Sequence, residues 1–104
     1  MIRVLKVTGE SLYPLYKEGD FVIVSKIPFV LNRLKKGDVI VFKHSLHGTM
    51  IKLIKEINQT GDKLQVVGTQ EKSIDSRQFG EIDRGSISGK VIMHVRNPNF
   101  KKLY

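Results

Sequence analysis

Gly37-Asp38-Val39-Ile40-Val41-Phe42 pairs a turn signal with a run of strand formers, and the same device recurs on either side of it. Gly19-Asp20 precedes Phe21-Val22-Ile23-Val24, and Gly61-Asp62 precedes Lys63 and the run Leu64 to Val67. Glycine tolerates positive φ and aspartate bonds its own backbone, so Gly-Asp between apolar segments marks a turn. Val and Ile, stiff at χ1, favour strands. Ile2 to Val7 and Lys90 to Val95 have the same character. Met50 to Ile57 fits either a helical face or a strand. Its eight residues lie between Gly48 and Gly61, and that short length favours a strand. Short strands at short spacing predict an all-β chain, a small barrel or coiled set of antiparallel sheets.

Composition sets further bounds. The 104 residues suit one domain spanning 1–104, and 40% are apolar, which fits a modest core. No run approaches the roughly 18–20 apolar residues of a membrane-spanning helix. The N-terminus alternates apolar and basic residues, unlike a signal peptide. The expected location is therefore cytoplasmic or peripheral to a membrane. There is no cysteine, which excludes disulfides and thiolate metal sites. His44 and His47 have a weak metal-ligand spacing, and the expectation is two solvated loop histidines with no metal and no cofactor. The net charge of +8 implies an anionic partner or plain solubility. The few aromatics do not interleave with the basic residues as a base-stacking surface does, so no nucleic acid is expected.

Two constellations carry chemistry. In Val7-Thr8-Gly9-Glu10-Ser11-Leu12-Tyr13-Pro14, a serine follows a glycine turn at the end of an apolar strand, and Pro14 restrains the backbone beyond it. That placement suits a nucleophile or an ordinary turn. A serine nucleophile needs a base. The histidines lack apparent carboxylate partners, which leaves a neutral lysine as the alternative. Lysine titrates near ~10.4 and must be desolvated to be neutral at physiological pH. Lys52 has Met50 and Ile54 as same-face neighbours, and Lys55 has Leu53 and Ile57, so alternation does not choose between them. In Ser73-Ile74-Asp75-Ser76-Arg77-Gln78-Phe79-Gly80, Asp75 and Arg77 stand two apart, an extended spacing from which they can pair or organise a loop.

The order of these boxes resembles the signal peptidase I family. Gly9-Glu10-Ser11-Leu12-Tyr13-Pro14 is similar to that family's Gly-x-Ser-Met-x-Pro box, and Gly19-Asp20 and Gly37-Asp38 match its turns. Ile51-Lys52-Leu53 matches its lysine strand, Ser73 to Gly80 its Ser-x-Asp-Ser-Arg-x-x-Gly box, and Gly89-Lys90-Val91 its closing strand. LexA-like self-cleaving repressors share the dyad and the turns but not the Asp-Ser-Arg box.

The resemblance implies a serine endopeptidase that cuts a leader or signal segment from an extended precursor. It assigns Ser11 as nucleophile, Lys52 rather than Lys55 as general base, and Ser73 as the hydroxyl that orients the lysine. Asp75 and Arg77 become a buttressing ion pair. Gly9 stands where some members place an oxyanion donor, which leaves more of that duty to the Ser11 N–H. Leu12, Leu15 and Leu53 replace the usual Met, Thr and Arg, and Gly68-Thr69-Gln70 stands in place of Gly-Asp-Asn. The expectation is a small member without the membrane anchor of larger ones, and the short span from Lys52 to Gly68 leaves no room for their accessory domain. Two other expectations follow: a maturation peptidase for a cytoplasmic enzyme, such as the one that processes nickel superoxide dismutase, or a catalytically dead binding module. Ile27-Pro28-Phe29-Val30-Leu31-Asn32-Arg33-Leu34-Lys35-Lys36 is expected to be either an exposed loop resting on an anionic membrane or a contributor to the core.

Overall fold

The computed structural model describes residues 2–9 and 12–96. The strands are β1 (Ile2–Lys6), β2 (Phe21–Ser25), β3 (Val39–His44), β4 (Gly48–Ile57), β5 (Lys63–Val67), β6 (Ile82–Asp83) and β7 (Ile87–Val95). They form one sheet of order β1-β2-β7-β3-β4-β5-β6, with every pairing antiparallel. The all-β expectation holds, and the ambiguous stretch at Met50 lies within β4. The strands make a single open sheet ending at β1 and β6, not a closed barrel. Helices α1 (Pro28–Leu31) and α2 (Ser76–Phe79) are each one turn long.

β3 is buried on both faces, which explains its continuous Val-Ile-Val-Phe run in place of strict alternation. Val39 and Val41 enter one core with Val7, Leu12, Tyr16, Val22, Val24 and Val91. Ile40 and Phe42 enter a second core with Leu34, Ile54, Leu64, Val66 and Ile82. Gly89 of β7 lies close against β2: a Cβ there would stand 2.3 Å from Val24 Cγ1.

The first two Gly-Asp turns are built alike. Gly19 and Gly37 have φ of +92° and +93°, which glycine alone adopts without strain. Asp20 Oδ2 accepts the Lys17 N–H at 3.0 Å, and Asp38 Oδ2 accepts the Lys35 N–H at 3.0 Å. Asp20 also pairs with His94 Nε2 at 2.7 Å, joining the turn before β2 to β7.

The segment 27–36 divides between its two expected fates. Leu34 is buried in the second core, whereas Phe29 is 63% exposed with the Arg33 guanidinium 4.3 Å above its ring. Pro28 sits at the first turn of α1, where its missing N–H costs nothing.

Candidate active site

Lys52 lies on β4 opposite Ile40 of β3, and only 3% of its surface is exposed. Lys55 is exposed. The difference that alternation left open has a local cause. The β4–β5 register shifts between Ile54 and Glu56, so a bulge at Lys55 breaks the period and turns that residue outward. Burial lowers the Lys52 ammonium from its ordinary range. The Asp75 charge opposes this, and the Arg77 charge reinforces it.

The Ser73–Gly80 stretch is not an extended segment. Asp75 is the N-cap of α2: its carboxylate accepts the Arg77 N–H at 3.0 Å, and the Gln78 side chain accepts the Asp75 N–H at 2.8 Å. This reciprocal capping box, and not same-face projection along a strand, brings Arg77 back onto Asp75. Arg77 Nε and Nη2 each lie 2.9 Å from a carboxylate oxygen, a bidentate pair with Asp75 fully buried and Arg77 partly exposed.

The same turn extends the edge of β5 where β6 stops. β6 pairs only with Lys63 and Leu64. Beyond them, Ser76 Oγ accepts the Val66 N–H at 2.8 Å and Asp75 Oδ2 accepts the Gly68 N–H at 2.9 Å. Desolvation pushes the Asp75 carboxyl up, but the Arg77 and Gly68 hydrogen bonds with the Arg77 charge outweigh it and hold the group below its ordinary range.

Ser73 is buried, and its N–H donates to the Gln70 carbonyl at 3.1 Å. Gly9 is exposed with φ of +79°, and its N–H donates to Glu18 Oε1 at 3.1 Å. Glu10 and Ser11 lie outside the described residues. Their loop is anchored on both sides. Val7 N–H donates to the Asp20 carbonyl at 2.7 Å and Gly19 N–H to the Val7 carbonyl at 2.9 Å, while Leu12 and Tyr16 are buried in the first core.

A groove of about 270 Å³ separates the end of β1 from the start of β4. Leu5, Val7, Val22, Val41 and Ile51 give it an apolar lining, and Lys52 lies along it. Among the described residues β1 ends the sheet and β4 meets β5 only from Leu53 onward, so both walls present strand edges to which no described strand pairs.

His44 and His47 lie together, with ring centroids 4.9 Å apart. His44 Nδ1 accepts the N–H groups of Leu46 and His47 and so closes the β3–β4 turn. Among the described residues no group of three or more His, Cys, Asp or Glu could hold a metal. The residues missed at sequence level are Ser76, which completes the edge of β5, and Thr69 and Gln70, whose side chains both donate to the Tyr13 carbonyl.

The pair has a measurable consequence. Asp75→Ala orphans the Gly68 donor, about 1–3 kcal/mol, and removes the Arg77 N–H bond that caps α2, about 1 kcal/mol. Arg77→Ala leaves both backbone donors on Asp75 and should lower the melting temperature less. Because the folded carboxyl titrates below its unfolded value, this stability is present above the ordinary carboxylate range and lost as pH falls through the folded value. Thermal melts of both variants check the order; equal melting temperatures to wild type would place the pair outside the stability of the fold.

A search of curated proteins found no match. A model of the family described as Peptidase S24-like matches residues 2–92, a span holding Ser11, Lys52, Ser73, Asp75 and Arg77. That family falls within the superfamily of LexA-like and signal peptidase-like proteins. With an all-β antiparallel sheet and a buried lysine beside a groove, the chain belongs to the Peptidase S24-like family.

Proposed function

We propose that the protein is a serine endopeptidase in which Ser11 is the nucleophile and Lys52 the general base, and that it removes a leader or signal segment from a precursor. The observation that carries this reading is the burial of the Lys52 amine with its proton affinity lowered, on a strand whose other lysine, Lys55, is exposed. An interior ammonium costs stability and is kept where its neutral form has work to do.

The neutral Lys52 amine takes the Ser11 hydroxyl proton as Oγ attacks the scissile carbonyl carbon. The oxyanion receives a hydrogen bond from the Ser11 N–H, since Gly9 has no side chain to offer. The intermediate collapses, the C–N bond breaks, and Lys52 returns its proton to the leaving amine. Lys52 then takes a proton from water, whose oxygen attacks the acyl-enzyme ester, and Ser11 leaves with the proton restored. Ser73 orients the amine, and Asp75 with Arg77 holds the segment that carries Ser73. The precursor lies extended in the groove, pairing with the edges of β1 and β4. Of the two substrate classes, a secretory precursor and a cytoplasmic enzyme precursor, both need the same extended segment. The buried amine of lowered proton affinity favours an active peptidase over a binding module that has lost catalysis.

Ser11→Ala and Lys52→Ala should each lower kcat by about 10⁴-fold or more, with the double variant scarcely worse. Lys52→Arg should be inactive, because guanidinium stays protonated. Lys55→Ala should keep most activity. The rate should rise with pH until Lys52 is neutral, and level off below the pH at which an ordinary lysine titrates. Precursor cleavage mapped by mass spectrometry, with a folding check on each variant, decides this. Turnover by Lys52→Ala, or its loss in Lys55→Ala, contradicts the assignment.

The precursor is met at an anionic bilayer. The net charge of +8, exposed Ile27 and Phe29 beside Arg33, Lys35 and Lys36, and exposed Val4 and Met93 on the outer face of β1–β2–β7 support this contact. Among the described residues no helix is long and apolar enough to cross a membrane. Sedimentation with anionic vesicles at low salt should carry the protein down, and added salt should release it. No binding at low salt ends the membrane contact.

A further inference from the structure

The loop between β1 and β2 is held at its base and near its tip by different parts of the chain. At the base, Val7, Gly19 and Asp20 continue the β1–β2 ladder. Nearer the tip, the Tyr13 carbonyl, two positions beyond Ser11, accepts hydrogen bonds from Thr69 Oγ1 and Gln70 Nε2. These donors reach across 56 and 57 positions of sequence from the segment that follows β5.

Gln70 is tied down in turn. Its carbonyl accepts the Ser73 N–H at 3.1 Å and Arg77 Nη2 at 3.1 Å. The same Arg77 nitrogen lies 2.9 Å from Asp75 Oδ2. A continuous path of hydrogen bonds therefore runs from the buried Asp75 carboxylate through Arg77 and Gln70 to the backbone of the Ser11 loop. Gln70 is its junction: the backbone belongs to the segment flanking Lys52, and the side chain grips the loop opposite.

We propose that Gln70 is a positioning residue for catalysis, whose side-chain amide holds the Tyr13 carbonyl, two positions beyond Ser11, against the segment that carries Ser73. The inference rests on the peptidase reading above. An attacking oxygen must lie within a narrow range of distance and angle, and a displacement of about 1 Å costs up to about 100-fold in rate. An amide N–H is required, because a carboxylate in its place would turn an oxygen toward the Tyr13 carbonyl oxygen and push the loop away.

The test compares wild type, Gln70→Ala, the near-isosteric Gln70→Glu, and Ser11→Ala on one precursor, with amide hydrogen exchange followed at Tyr16, whose N–H bonds to the Leu12 carbonyl within the loop. Gln70→Ala and Gln70→Glu should lower kcat by about 10- to 100-fold. KM should stay within about twofold, because the groove walls are untouched, and the rise of kcat/KM with pH should keep its midpoint, because the base is unchanged. Tyr16 exchange should quicken while Ile40 and Phe42 amides in the core stay protected. Wild-type kcat in Gln70→Ala, full activity in Gln70→Glu, or unaltered Tyr16 exchange in both would overturn the clamp. Equal quickening at Tyr16, Ile40 and Phe42 would overturn it too, by showing a general loss of stability. Cleavage by Ser11→Ala would instead overturn the peptidase reading, while the exchange data still judge the clamp.

Discussion

A buried carboxylate is the constraint around which the site is arranged. Asp75 has none of its surface exposed, and an ionised group in that position persists only with every lone pair engaged. Gly68 N–H, Arg77 N–H and the Arg77 guanidinium engage them. Meeting that demand fixes three things together: where β5 ends, where α2 begins, and the direction in which Arg77 points. It also sets up an electrostatic conflict. The Asp75 charge favours the ammonium form of Lys52, the opposite of what the proposed role as general base needs. Arg77 pushes the Lys52 amine the other way, so the partner that makes Asp75 tolerable in the interior also shields the lysine from it. Burial of Lys52 decides the balance in favour of lowered proton affinity.

The sheet supplies that burial. β3 gives one face to each core, and the β4 side chains on its second-core face, Met50, Lys52 and Ile54, inherit an apolar setting. Lys52 is the polar member of that row, placed just before β5 begins to pair with β4. Among the described residues no strand pairs with the edge of β4 upstream of that point, or with the edge of β1 across the groove. The position that dries the lysine thus adjoins the groove between the end of β1 and the start of β4.

Much of the fold was legible in local sequence, because strands and Gly-Asp turns are local phenomena. Gly19 and Gly37 occupy the positive φ that their pairing with aspartate implied, and the Val/Ile runs are strands. Lys52 and Lys55 could not be separated by alternation, since a one-residue bulge is invisible to a period-two pattern. The helical turn in the Asp-Ser-Arg box had a readable signal that was passed over: Asp75 with Gln78 three positions on is a capping box. The clamp from Gln70 to Tyr13 had none, because nothing near either residue indicates a partner more than fifty positions away. The openness of the sheet was likewise out of reach, since it depends on which strands find partners and not on which residues form strands.

Burial lowers the proton affinity of the Lys52 amine, and the account depends on that shift. The direct measurement is a pH titration of the lysine side-chain carbons next to the amine by nuclear magnetic resonance, with Lys52 assigned by comparison with Lys52→Arg. The account predicts a lysine resonance, absent in that variant, that titrates below the ordinary lysine range. Titration of Lys52 within that range would contradict it.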